Sequence, residues 1–177
     1  MKITSSRGFT LIELVVVIVI LGILAATAAP KFMSLQSDAR AASLKGVEAT
    51  WKSADKMFYA KAVLQGVDKT CDLSSRNVNI DEKSFYSCYG HILPTGMYDS
   101  SVYKIVGIDA NDFIIVPYEF DDYWGAYTYF LNPEFEKITD PTEKGYKYHE
   151  LKDKCSVMYK LNPNKDEVII KSFTSDC

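Results

Sequence analysis

The sequence predicts an α+β fold: one long N-terminal helix followed by an antiparallel sheet. Two observations carry this. Apolar side chains run from Phe9 to Ala29, interrupted by one carboxylate, and an amphipathic pattern continues to about Gln65. Runs rich in Val, Ile, Tyr and Phe then cluster in the second half, joined by short polar connections.

A short leader comes first. Met1 to Gly8 carries Lys2 and Arg7 as its only charged side chains, and positive charge there holds an N-terminus on the cytoplasmic face. The apolar segment 9–29 is 21 residues long. As a helix it spans roughly 31 Å, enough to cross a bilayer. A lone carboxylate inside it, Glu13, is costly there and marks a functional site by default. Three readings compete. Ala26-Thr27-Ala28 fits the small-residue cleavage pattern of a secretory signal, and the segment could also be a plain anchor. Both leave Glu13 without a purpose; the third reading follows from the resemblance below.

The helix is expected to continue past Ala29. Pro30 would kink it. Beyond it Phe32, Leu35, Ala39, Ala42, Val47, Trp51, Ala54 and Phe58 form one apolar stripe, with most charges off it. Gly66 is the expected C-terminal stop. The expected organisation is a cleaved leader at 1–8, a membrane or filament-core half-helix at 9–29, an amphipathic half-helix at 30–65 and a head at 66–177.

Five strands are expected in the head: Val102 to Ile108, Phe113 to Glu119, Trp124 to Leu131, Ser156 to Leu161 and Glu167 to Thr174. Asp109-Ala110-Asn111-Asp112 would join the first two and Asn162-Pro163-Asn164-Lys165-Asp166 the last two, as tight turns. Such short connections favour antiparallel hairpins. The sheet would cover the stripe from Phe32 to Phe58.

Composition excludes several functions. Loss of the leader's two positive side chains takes the net charge from −3 to −5, which argues against nucleic acid as a partner. Catalytic motifs and phosphate-binding glycine loops are absent, so an enzyme is not expected. No cofactor is expected. His91 and His149 lack ligand spacing and receive no role, and no metal site is expected. Asp121-Asp122 reads as a solvated turn rather than a divalent-ion site. The run Tyr118, Phe120, Tyr123, Trp124, Tyr127, Tyr129, Phe130 reads as strand core and subunit contact, with sugar stacking as the alternative.

Four cysteines allow three pairings. In an oxidising compartment they would form disulfides. Cys71–Cys88 with Cys155–Cys177 is favoured, because the second pair flanks the last expected hairpin.

Gly8-Phe9-Thr10-Leu11-Ile12-Glu13 resembles the processing and methylation motif of type IV pilins and of pseudopilins. The resemblance implies cleavage after Gly8 by a prepilin peptidase and N-methylation of Phe9. It implies that Glu13 pairs with the N-terminus of a neighbouring subunit, and that Gly22 and Pro30 sit where pilin helices bend in filaments. A cysteine pair enclosing a C-terminal segment resembles the disulfide-bounded loop of many pilins. Ala28-Ala29-Pro30-Lys31-Phe32 with Leu35-Gln36-Ser37-Asp38-Ala39-Arg40-Ala41 and Gly46 is similar to the type IVa pilins of mannose-sensitive haemagglutinin pili. The implied role is a homo-oligomeric filament subunit for adhesion and biofilm formation. It would start in the inner membrane and end on the cell surface, with assembly machinery, separate ATPases and surface glycans as partners. A type II secretion pseudopilin is the alternative.

Overall fold

The computed structural model describes residues 9–71, 78–93, 101–120, 123–151, 153–164 and 166–177. The leader with Gly8 and the Asp121-Asp122 pair lie outside them. The chain divides into two compact units, Met1–Ala39 and Arg40–Cys177. The fold is a long N-terminal helix plus an antiparallel sheet.

Helix α1 runs Leu11–Gln65 with Pro30 inside it. It ends where Gly66 adopts φ 71°, and Val67 donates to the Ala62 carbonyl while Gly66 donates to that of Val63. This is a Schellman closure, which a residue without Cβ reaches at little cost. Burial along α1 starts at Leu44 and continues through Val47, Trp51, Ala54, Asp55, Phe58 and Ala62. That is a spacing of three and four, one face of a helix. The covered stripe therefore begins later than expected: Phe32 is 70% exposed, and Leu35, Ala39 and Ala42 are exposed as well.

The sheet is antiparallel in the order β5 (Phe113–Phe120), β6 (Tyr123–Phe130), β7 (Ser156–Asn162) and β8 (Glu167–Phe173). Pro117 lies on β5, an edge strand, where its missing N–H costs least. Side chains alternate across the sheet. Ala126, Thr128, Val157, Tyr159 and Leu161 belong to the main core with the buried face of α1. Tyr127, Tyr129 and Val116 form a second cluster with Tyr148. Tyr148 lies on α3 (Pro141–His149), so the sheet is covered on both faces.

Trp51 centres the main core. Its Nε1 donates to Thr128 Oγ1 at 2.9 Å and its ring lies 5.0 Å from that of Tyr159. The fully buried Tyr159 hydroxyl shares its one proton between Asp55 Oδ1 at 3.0 Å and the Ile92 carbonyl at 3.1 Å. Between α1 and the sheet lie two small hairpins, β1 (Val78–Ile80) with β2 (Lys83–Phe85) and β3 (Ser87–Cys88) with β4 (His91–Ile92). Their loops, Asp81-Glu82 and Tyr89-Gly90, have positive φ at both residues, the twist that two-residue hairpins need. Gly90 also passes so near α1 that a Cβ there would lie 2.9 Å from the Tyr59 ring.

One expected strand is corrected. Val102 to Ile108 is largely helical: α2 covers Ser101–Val106 and stops at Gly107, φ 75°, with Ile108 donating back to the Tyr103 carbonyl. Asp109–Asp112 therefore leads from a helix into β5 and joins no hairpin. Its Asp109 carboxylate accepts from the Asn111 N–H at 2.8 Å, a local Asx bond.

Edge strand β8 is guarded by α1. Glu48 Oε2 accepts the Ser172 N–H at 3.0 Å and also the Ser172 hydroxyl. Burial works against the Glu48 carboxylate, but the Lys52 ammonium and the Ser172 donors outweigh it and hold its pKa below the usual range. A lowered pKa contributes stability above the ordinary glutamate range and loses it as pH falls. Glu48→Gln should therefore flatten the loss of head stability as pH falls through and below the ordinary glutamate range, read by urea unfolding at several pH values. Trp51→Ala should cost about 3–5 kcal/mol in the same assay, while Phe32→Ala leaves the head's midpoint unchanged.

Candidate functional site

The exposed apolar helix is the first candidate. Phe9, Leu11 and Ile12 are 84%, 80% and 70% exposed, and large apolar side chains stay uncovered through Leu24. α1 is long and apolar enough in its first half to cross a membrane. Nothing lies within 4 Å of where a Cβ on Gly22 would sit, so no close packing inside the chain demands that glycine. Pro30 is accommodated within the helix.

Glu13 sits in the first turn, where it closes a reciprocal cap. Its Oε2 accepts the Thr10 N–H at 2.9 Å and the Thr10 hydroxyl at 2.7 Å, and its own N–H reaches Thr10 Oγ1 at 3.4 Å. This is a capping box, and its Thr-x-x-Glu signature is plain in the sequence, beside the expected pairing of Glu13 with an N-terminus. The carboxylate thus has a partner within its own chain. Any pairing with a neighbour's N-terminus competes with that cap.

The head holds a second cluster that sequence reasoning missed. His91 Nδ1 lies 3.1 and 3.0 Å from the two oxygens of Asp55, and Nε2 lies 3.3 Å from Asp166 Oδ1. Tyr59 stacks on the ring at 5.2 Å between centroids. Asp55, Lys56, Tyr59, His91 and Asp166 line a cleft of about 410 Å³. Burial disfavours the charged ring, yet the two carboxylates outweigh it and raise the His91 pKa above its usual range. No sequence signal tied these residues together, since Asp55 and His91 meet only through the tertiary fold.

A second cleft, of about 540 Å³, is lined by Arg40, Lys154, Asp176 and the segment 129–133. Among the described residues no group of three or more His, Cys, Asp and Glu is placed to hold a metal. The aromatic run is divided by strand alternation. Trp124 and Phe130 pack on the main core, while Tyr118, Tyr127 and Tyr129 join the outer cluster. These five side chains thus lie on opposite faces of the sheet. Disulfides join Cys71 to Cys88 and Cys155 to Cys177. The second closes the base of the β7–β8 hairpin, where the Cys155 N–H also donates to the Ser175 carbonyl.

An apolar helix with one capped carboxylate near its start, leading into a head of antiparallel strands, is consistent with the α+β fold of type IV pilins. The comparisons with known proteins agree. Residues 3–29 match the family described as the prokaryotic N-terminal methylation motif. The chain is 46% identical over 68 residues to the type IV narrow pilus major component PilA5 of Thermus thermophilus, covering 38% of this chain and 55% of that one. It thus spans about half the length of that curated relative. No solved structure matches. Together these findings support the type IV pilin family, and the motif with its apolar helix fits a membrane precursor followed by a surface pilus.

The Cys155–Cys177 bridge closes a separation of 22 residues. Replacing both by Ser should cost about 3 kcal/mol of head stability in the chain-entropy view, read as a lower urea midpoint.

Proposed function

We propose that this chain is a structural subunit of a type IV pilus, cut after Gly8, methylated at Phe9 and polymerised through its N-terminal helix. The observation that carries the reading is the apolar helix left uncovered by the rest of the chain, with Glu13 as its one carboxylate. In the bilayer, lipid covers such a surface; outside it, other copies of the helix must. An ionised carboxylate carried into that apolar core is strongly disfavoured unless it is paired, and the ammonium of a neighbouring Phe9 offsets the cost. Glu13 thereby sets axial register. Gly22, with open space around it, and Pro30 are the places where the helix can bend or unwind as it packs.

The finer reading is a type IVa pilin of the mannose-sensitive haemagglutinin kind, serving surface attachment and biofilm formation. Residues 28–46 support it by resemblance. Extension would rely on separate ATPases, and the Cys155–Cys177 hairpin would face outward.

Peptide mapping of protein sheared from cells tests this. The expected N-terminus is methylated Phe9, in long extracellular filaments. Glu13→Val should reduce sheared filaments at least about tenfold while cleavage stays intact, the scale of one unpaired buried charge. Normal filament yield from Glu13→Val would overturn the register role. Material confined to the periplasm would indicate a pseudopilin instead, and an N-terminus at Ala29 a cleaved secretory signal.

A further inference from the structure

His91 is held between two carboxylates of unequal exposure. Asp55, on α1, has a side chain 10% exposed, and it is also bonded by the Tyr159 hydroxyl from β7. Asp166, in the β7–β8 turn, has a side chain 53% exposed. Lys56 and Tyr59 complete the cleft from α1. These are the titratable and charged groups that face the ring among the described residues.

A neutral imidazole carries one N–H and one lone pair. It can donate to one carboxylate only and must turn its lone pair toward the other. Both contacts hold together only while the ring carries both protons. The exposed partner is the weaker of the two, since solvent and salt screen it. Asp55 keeps the ring and Asp166 leaves.

We propose that His91 is a proton-operated clasp that ties the β7–β8 turn to α1 when charged and releases the turn when neutral. The Cys155–Cys177 bridge fixes the base of that hairpin. Release frees the Nε2 edge of His91 in the cleft of about 410 Å³. The sign follows from linkage. A raised histidine pKa gives a tie that is complete below the ordinary histidine range and is lost as pH rises through the folded-state value. The clasp belongs to the head and holds whether or not the chain polymerises.

The test uses the full chain in detergent micelles. With two histidines in the sequence, imidazole resonances are assigned by comparison with His149→Gln. Hydrogen exchange across residues 162–168, corrected for the intrinsic pH dependence, reports the turn. Protection should fall at least about threefold through the same midpoint as the His91 titration. Asp166→Asn should weaken proton binding at His91 by about threefold and abolish the pH dependence of the turn. Raised salt should reproduce part of that effect in the native chain. Turn protection that ignores pH, or a His91 titration unchanged in Asp166→Asn, would refute the clasp.

Discussion

The structure depends on a surface that the chain cannot cover by itself. From Phe9 to Leu24 the large apolar side chains of α1 are exposed, and none of them is buried. At about 25 cal/mol per Å² of apolar area, leaving such a helix in water is strongly unfavourable. Lipid or further copies of the same helix must take it up. A membrane is a fluid cover with no register, whereas a bundle of identical helices needs one. In the proposed filament, a carboxylate at one position would supply it, because burial without a partner is costly at every placement except one. The capping box with Thr10 satisfies that carboxylate while the chain is alone.

The head must then be stable without help from the N-terminal unit. It achieves this by covering the sheet twice. The buried face of α1 from Leu44 to Ala62 packs in one core, and α3 brings Tyr148 onto the tyrosines of the opposite face. Tyr148 accepts the Asn132 N–H and donates to Glu136, so even its polar end is satisfied. Burial pushes the Tyr148 hydroxyl pKa up to about 12 and that of Tyr127 well above its usual range, so both stay protonated donors. The free edge of β8, a site where another strand could add, is blunted by Glu48.

Local signals were legible where they sufficed. Alternation and β-branched content located β5 to β8 almost to the residue, and Gly66 ended α1 as its lack of a side chain suggests. Val102 to Ile108 failed because β-branched content was read without its stop. Gly107 closes a helix there, and the Tyr103 hydroxyl accepts the Ile115 N–H, so the segment braces a strand without being one. Helix α3 was missed although Asp140-Pro141-Thr142-Glu143 is a start signal, with Asp140 accepting the Glu143 N–H. Composition also overextended the buried stripe to Phe32. Periodicity shows that a face is apolar, but what covers it is a tertiary matter.

Asp55 shows why a buried charge can be kept inside such a stripe. It occupies a helix position between Trp51 and Phe58 that an apolar residue could fill, and it is 7% exposed. An all-apolar face tolerates a slide of one turn along the sheet, because dispersion contacts are non-directional. The Asp55 carboxylate accepts from Tyr159 on β7 and meets His91 on β4, while the Tyr159 hydroxyl also reaches the Ile92 carbonyl. Sliding α1 by a turn would strip the carboxylate of these partners at once, and a buried polar group without them costs several kcal/mol. The core thereby fixes α1 in one register against two separate sheets. The same carboxylate, reaching the surface only through an imidazole, makes the outermost part of that register responsive to protons.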